Sequence, residues 1–319
     1  MGNKDITDFN EAQLRKRAAS KEELNICLTN NYAFQKIFKN EEIVKGFLIA
    51  LLHLKETDIE ELEVTDPFVE GEVKEEKEGI LDVKLILNGG KKINIEMQNT
   101  YQEDWAERSL FYNCRMFTEG LKKGESYYEL PPCIHVGILD FNYLKSPGFY
   151  HRILLKDDTT GELYSSKFQF HVIELSKIAT TKGKARKQDL YKWAKLISAS
   201  TWEEIREESE GNHYMEKVRD EMIKMSRDES ERYLYLREQM AIRDKESQLQ
   251  SAENRGRREG REEGRKQGEV LKLITMVKKK IENGDSVAKI ADDLLEDIDV
   301  IEKIYDIVKK NPEKKFGIL

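Results

Sequence analysis

Two short stretches of alternating hydrophobicity, joined by Asn88-Gly89-Gly90, constrain this chain more than any other feature of it. Leu81, Val83, Leu85 and Leu87 alternate with Asp82, Lys84 and Ile86; Ile93, Ile95 and Met97 alternate with Asn94, Glu96 and Gln98. A period of two specifies half-buried strands, each with one apolar face. A two-residue loop at Gly89-Gly90 would pair Asn88 with Lys91 and set Asp82 against Met97, driving polar groups into the apolar face. A three-residue loop pairs Leu87 with Lys91 instead, and then Leu85 faces Ile93, Val83 faces Ile95 and Leu81 faces Met97. A slip of one residue would destroy that match, and glycine at the end of such a loop is the usual bulge position.

The same register sets Asp82 directly across from Glu96 on the polar face. Opposed residues have Cβ atoms roughly 4.5–5.5 Å apart, and two like charges at that spacing repel. A cation between them removes the repulsion. Mg²⁺ takes one or two carboxylates and keeps several waters, and a metal so held activates water and stabilises charge building on a phosphodiester. Gln98 follows on the same face, suited to orienting an attacking water or a phosphate but unable to act as a cation. The plainer alternative is a solvated strand face with a chance acidic pair.

Around the strands, the pattern from Tyr32 to Leu52 is helical, with Asn30 or Asn31 able to cap its start. A helix is expected from about Asp104 to Lys122, with Trp105, Leu110, Phe111, Cys114, Phe117 and Leu121 apolar. The nearly continuous apolar run from Ile134 to Phe141 suits a central buried strand. Phe168, Phe170 and Val172 mark a further strand, and a helix around Leu190 to Ile197 closes the domain. The order describes an α/β sandwich. We expect a loose arm over 1–22, the α/β domain over 23–200, a charged helical and glycine-repeat segment over 201–268, and a small helical module over 269–319.

Charged residues make up 36% of the chain and the formal net charge is -7, so no whole-protein basic field is present and a DNA-binding surface has to be local. Three scattered cysteines, Cys27, Cys114 and Cys133, have neither metal-ligand spacing nor a disulfide framework. The first twenty residues are polar, and no run approaches the ~18 apolar residues of a membrane span. The expectation is a soluble cytoplasmic protein without a membrane partner.

The stretches Gly79-Ile80-Leu81-Asp82-Val83-Lys84 and Ile93-Asn94-Ile95-Glu96-Met97-Gln98 resemble the Rpn family of recombination-promoting nucleases and putative transposases, within the PD-(D/E)XK superfamily. The resemblance extends to Leu28-Thr29-Asn30-Asn31-Tyr32-Ala33-Phe34, Arg108-Ser109-Leu110-Phe111-Tyr112, Leu121-Lys122-Lys123-Gly124, Ile138-Leu139-Asp140-Phe141 and the glycine-punctuated tail. It implies a restriction-endonuclease-like core, a mixed central sheet flanked by helices, with a helical C-terminal extension. It further implies Mg²⁺-dependent DNA phosphodiester hydrolysis, with Mn²⁺ as a substitute, and a link to mobile elements or recombination. Asp82 and Glu96 would be the metal ligands, and Gln98 stands where the wider superfamily usually has lysine. One departure is Asn31, where the family usually has Asp. The alternative function is a catalytically weakened relative that binds DNA or protein through its helical tail.

Arg108, Tyr112 and Arg115 follow helical spacing and suit phosphate contact, or a solvated helix face. Lys84 shares the polar strand face and is a candidate for the missing positive charge at the site. His135 and His171 read as strand histidines with satisfied rings. Gly256, Gly260, Gly264 and Gly268 recur every four residues among arginines. Each costs a helix about 1 kcal/mol relative to alanine, which close packing in an oligomer or on DNA would offset; the alternative is a flexible connector. Acidic residues in the middle of 284–308 favour dimerisation or docking over a helix-turn-helix, so a homo-oligomer through the C-terminal helices is expected.

Overall fold

The computed structural model describes residues 11–19, 26–65, 68–69, 79–80, 82–119, 124 and 126–310. In chain order the elements are α1 (Glu11–Ala19), α2 (Asn31–Phe38), α3 (Glu41–Leu52), β1 (Leu62–Thr65), β2 (Phe68–Val69), β3 (Gly79–Ile80), β4 (Val83–Leu87), β5 (Lys91–Gln98), α4 (Trp105–Thr118), β6 (Cys133–Leu139), β7 (Tyr150–Lys156), β8 (Leu163–Glu174), α5 (Asp189–Ser198), α6 (Trp202–Ser209), α7 (His213–Arg227), α8 (Glu229–Glu282), α9 (Val287–Leu294) and α10 (Ile298–Lys310). Six strands form one mixed sheet in the order β1-β4-β5-β6-β8-β7, while β2 and β3 pair separately. The β5-β6 and β6-β8 pairs are parallel; the others in the large sheet are antiparallel.

The expected hairpin register is present: Leu87 pairs with Lys91, Leu85 with Ile93 and Val83 with Ile95. Asn88, Gly89 and Gly90 all have positive φ, as a three-residue connection of this kind requires. Leu81, and with it the Leu81–Met97 pair, lies outside the described residues, as does the expected end of α4 at Lys122 and the Leu121-Lys122-Lys123 part of the motif.

The apolar face of β4, β5 and β6 packs into the main core with α2, α3, α5 and α7. The helical stretch from Tyr32 to Leu52 is two helices, because Asn40 is extended and its side chain caps the backbone of Glu42 and Ile43. Asn30 is the cap of α2, accepting from the Ala33 N–H at 3.1 Å. Within the segment read as a loose arm, α1 has Leu14 and Ala18 buried in the same core.

The polar face corrects the half-buried expectation. It is covered by α4, which leaves Asn94, Glu96 and Gln98 buried. The side of α4 turned to the sheet is Trp105, Ser109, Tyr112, Asn113 and Met116, whereas Leu110, Phe111 and Cys114 are exposed. Of the apolar stripe expected on this helix, Trp105 is buried and Phe117 half-buried, but Leu110, Phe111 and Cys114 lie on the outer side. A polar strand face selects a mixed helix face, so hydrophobic spacing points the wrong way here. Gly137, paired with Glu96 across β5 and β6, provides the room: a Cβ there would lie 2.2 Å from the Trp105 ring.

Backbone contacts divide the chain into two compact units, Met1–Asp244 and Lys245–Leu319. In the second, Val277, Ile290, Ala291 and Ile301 form a small core between α8, α9 and α10, with the chain turned after α8 by Gly284 at φ +81°. Gly256, Gly260, Gly264 and Gly268 are helical and have no atom within 4 Å of where a Cβ would stand. Nothing in the described chain packs on them. Replacing all four by alanine is expected to stabilise α8 by about 1 kcal/mol per site, raising helicity and its melting midpoint by circular dichroism. A loss of helicity would show that the glycines meet a need of the isolated chain.

Candidate active site

Asp82 immediately precedes β4, and its side chain takes over the ladder. The Met97 N–H donates to Asp82 Oδ2 at 2.7 Å, and Gln35 Nε2 of α2 donates to Oδ1 at 2.9 Å. Glu96 lies one residue before Met97 on β5 and is buried. Its Oε1 accepts from Gln98 Nε2 at 2.9 Å and from Arg108 Nε and Nη2 at 3.1 and 2.8 Å. Burial, then the negative charge of Glu96, pushes the Asp82 carboxyl up to about 7, against the stabilising N–H donors of Met97 and Gln35 and the charge of Arg108. The two acids thus form one electrostatic unit even though the regular ladder stops at Val83.

The remaining Glu96 oxygen, Oε2, is buried and has no hydrogen-bond partner. It faces His135 Nε2 at 3.7 Å, beyond hydrogen-bond reach. Asn94 Nδ2 lies 3.1 Å from His135 Nδ1; with that nitrogen accepting, the ring proton is on Nε2, turned toward Glu96. The expected satisfied histidine is therefore satisfied on one nitrogen only, and burial keeps the ring below the usual histidine range. His171 is similar: its Nδ1 meets the Tyr150 hydroxyl at 2.9 Å, its Nε2 has no partner, and burial lowers it to about 4.

The structure brings Asp82, Glu96, Gln98 and Arg108 together. Tyr112 stands one turn along α4, with the Arg108 guanidinium 5.0 Å from its ring centroid. Lys84 is not part of this group: its ammonium meets Glu119 at 2.8 Å, beyond the end of α4, so the cation at the acidic pair is Arg108. Gln35 was not anticipated. Its signal was helical spacing, since it follows Asn31 by four residues and shares its face of α2. Asn31 Oδ1 is itself a buried acceptor without a donor.

The residues present suit a hard divalent cation. Two carboxylates, one with a free buried oxygen, are what Mg²⁺ takes alongside water. Among the described residues no cluster of three or more His, Cys, Asp or Glu could hold a metal, so a site rich in nitrogen or sulfur ligands is not offered by them.

A mixed sheet flanked by helices, with an acidic pair at the end of adjacent strands, is the PD-(D/E)XK arrangement. The family model described as PD-(D/E)XK nuclease family transposase matches residues 28–252, and the chain belongs to that family. This bears out the resemblance and the fold class read from the sequence. No curated protein and no solved structure matches the chain. Among the described residues no helix is long and apolar enough to cross a membrane.

Proposed function

We propose that this family member is a divalent-metal-dependent DNA endonuclease acting in recombination or on mobile elements. The observation behind the reading is the buried pairing of Asp82 and Glu96: burial, then the Glu96 charge, raises the Asp82 carboxyl, while Glu96 keeps an unpartnered buried oxygen. Asp82 and Glu96 would hold Mg²⁺, or Mn²⁺ in its place. The bound ion supplies Lewis-acid charge at a phosphodiester and lowers the pKa of water. Gln98, tied through its Nε2 to Glu96, is left with its amide oxygen to orient a water. Arg108 is half-exposed and can turn from Glu96 to a phosphate oxygen, backed by Tyr112. Lys84 sets the position of Glu119 and reaches DNA only if that pair opens. The protein is read as cytoplasmic and as a homo-oligomer through its C-terminal helices.

The test is nicking of supercoiled plasmid with Mg²⁺ and with EDTA. Metal-dependent cleavage that disappears in Asp82→Ala plus Glu96→Ala supports the reading, and cleavage that survives both changes removes it. A second reading, a weakened relative that binds without cutting, is favoured by Asn31 in place of the family acid. Asn31→Asp would give the site a third carboxylate, carried by α2 and facing the same way as Gln35. It is expected to tighten Mn²⁺ binding about tenfold, read by calorimetry; unchanged affinity would show that the side chain lies outside the metal's reach.

A further inference from the structure

The acidic chain has a basic stretch beside the sheet that the site does not use. Residues 175–188 contain no Asp or Glu but five cations. One of these, Lys177, is buried on Glu174 at 2.7 Å. The other four, Lys182, Lys184, Arg186 and Lys187, are exposed. Gly183, at φ +70°, turns the chain into a short 3-10 helix over Gly183–Lys187 that leads to α5. Several other surface cations are paired: Lys36, Lys45, Lys217, Lys224 and Lys289 each meet a carboxylate. None of the four has a carboxylate among the described residues within ion-pair distance. Concentrating unpaired like charge costs stability unless a polyanion neutralises it.

The stretch is also tied to the end of the parallel strands where Glu96 and Gln98 stand. β5, β6 and β8 are parallel, and Gln98, Leu139 and Glu174 lie level at their ends. Adjacent strands are about 4.8 Å apart, so the end of β8 is roughly 10 Å from the end of β5. The Asp140 N–H donates to the Gln98 carbonyl at 2.9 Å. The loop that follows is fastened to the start of the basic stretch: Ser176 Oγ donates to Asn142 Oδ1 at 2.8 Å, and Lys177 Nζ donates to the carbonyls of Leu144 and Ser146 at 2.6 and 2.7 Å. Lys145, between those two carbonyls, is exposed as well.

We infer that the exposed cations of residues 182–187, with Lys145 beside them, are a phosphate-binding surface for the duplex flanking the scissile bond. The inference rests on the proposed nuclease reading and adds the surface along which the substrate runs. These side chains bind the backbone and position the duplex without reading its sequence.

Each phosphate neutralised contributes about 0.9 to the slope of log affinity against log salt. The experiment is a salt titration of binding to a short fluorescent duplex, with Ca²⁺ replacing Mg²⁺, followed by anisotropy. The variant K182Q/K184Q/R186Q/K187Q is expected to lose about 3.6 from the slope and to bind at least tenfold more weakly, with its melting temperature and Mn²⁺ affinity unchanged. The charge-preserving K182R/K184R/K187R is expected to keep the wild-type slope. If the fourfold variant does not fold, K184Q and K187Q singly should each remove about one phosphate's share. Wild-type slope and affinity in the glutamine variants overturn the inference and leave the nuclease reading standing. A slope loss with single-stranded RNA but none with duplex DNA overturns the assignment of the partner. Failure of the wild type to bind any duplex overturns the nuclease reading and this inference with it.

Discussion

Asp82→Asn is expected to raise the melting temperature of the metal-free protein at pH 8 by several degrees and to abolish its stabilisation by Mn²⁺. The Asp82 carboxyl goes from 3.8 in the unfolded chain to about 7 in the fold, chiefly through burial and the Glu96 charge. The folded state therefore holds a proton more tightly than the unfolded one. This stability is fully present below about pH 4 and is lost as pH rises through 7. The deprotonated fold is disfavoured by up to about 4 kcal/mol, a figure that water entry and relaxation reduce. Asparagine removes the charge at little structural cost, since its Oδ1 can accept from Met97 N–H while the Gln35 amide turns to present its oxygen. For a unit of this size each kcal/mol moves Tm by about 2–4 °C. Thermal denaturation from pH 5 to 9, with EDTA or Mn²⁺, checks all three features. A variant less stable than wild type at pH 8, or one still stabilised by Mn²⁺, would show that Asp82 is not the acid under strain.

Glu96→Gln is expected to reduce Mg²⁺-dependent nicking by about 10³ while leaving duplex binding intact. Glu96 is buried, but its cationic partner is not: the Arg108 side chain is 34% exposed and can turn to solvent. The substitution thus avoids stranding a buried charge, the usual cause of large destabilisation. Arg108, released from Glu96, is then free for phosphate, so affinity for DNA should hold or rise modestly. Nicking rates and anisotropy on the same preparation separate the effects. Equal losses of cleavage and binding would make Glu96 an organiser of the fold around Arg108 rather than a metal ligand.

The hairpin was legible because the alternation of Val83, Leu85, Ile93 and Ile95 admits one register that buries apolar residues on apolar residues. The nearness of Asp82 to Glu96, just beyond the last ladder pair, followed from it. The way Asp82 is held did not, because a side chain accepting a neighbouring strand's amide leaves no trace in hydrophobic period. The cover over Glu96 was hidden for a related reason. Trp105, Arg108, Ser109, Tyr112 and Asn113 make a helix face whose chemistry answers Asn94, Glu96 and Gln98, and a polar interior defeats the rule that apolar spacing marks the inside. The Lys84–Glu119 and Gln35–Asp82 contacts join residues 35 and 47 apart in sequence and belong to tertiary structure alone. The break between α2 and α3 was missed although its signal was there, since Asn40 is a recognisable cap within an otherwise continuous pattern.

The bond from Met97 N–H to Asp82 places one backbone proton of the central sheet in direct contact with the group that titrates. That proton is deshielded most strongly when the carboxylate is charged, and its resonance will move with every change at the acid. The amide of Met97 is thus a built-in spectroscopic reporter: a single cross-peak in a nitrogen-edited NMR spectrum of the isotope-enriched protein follows the charge state of the site without any substitution in it.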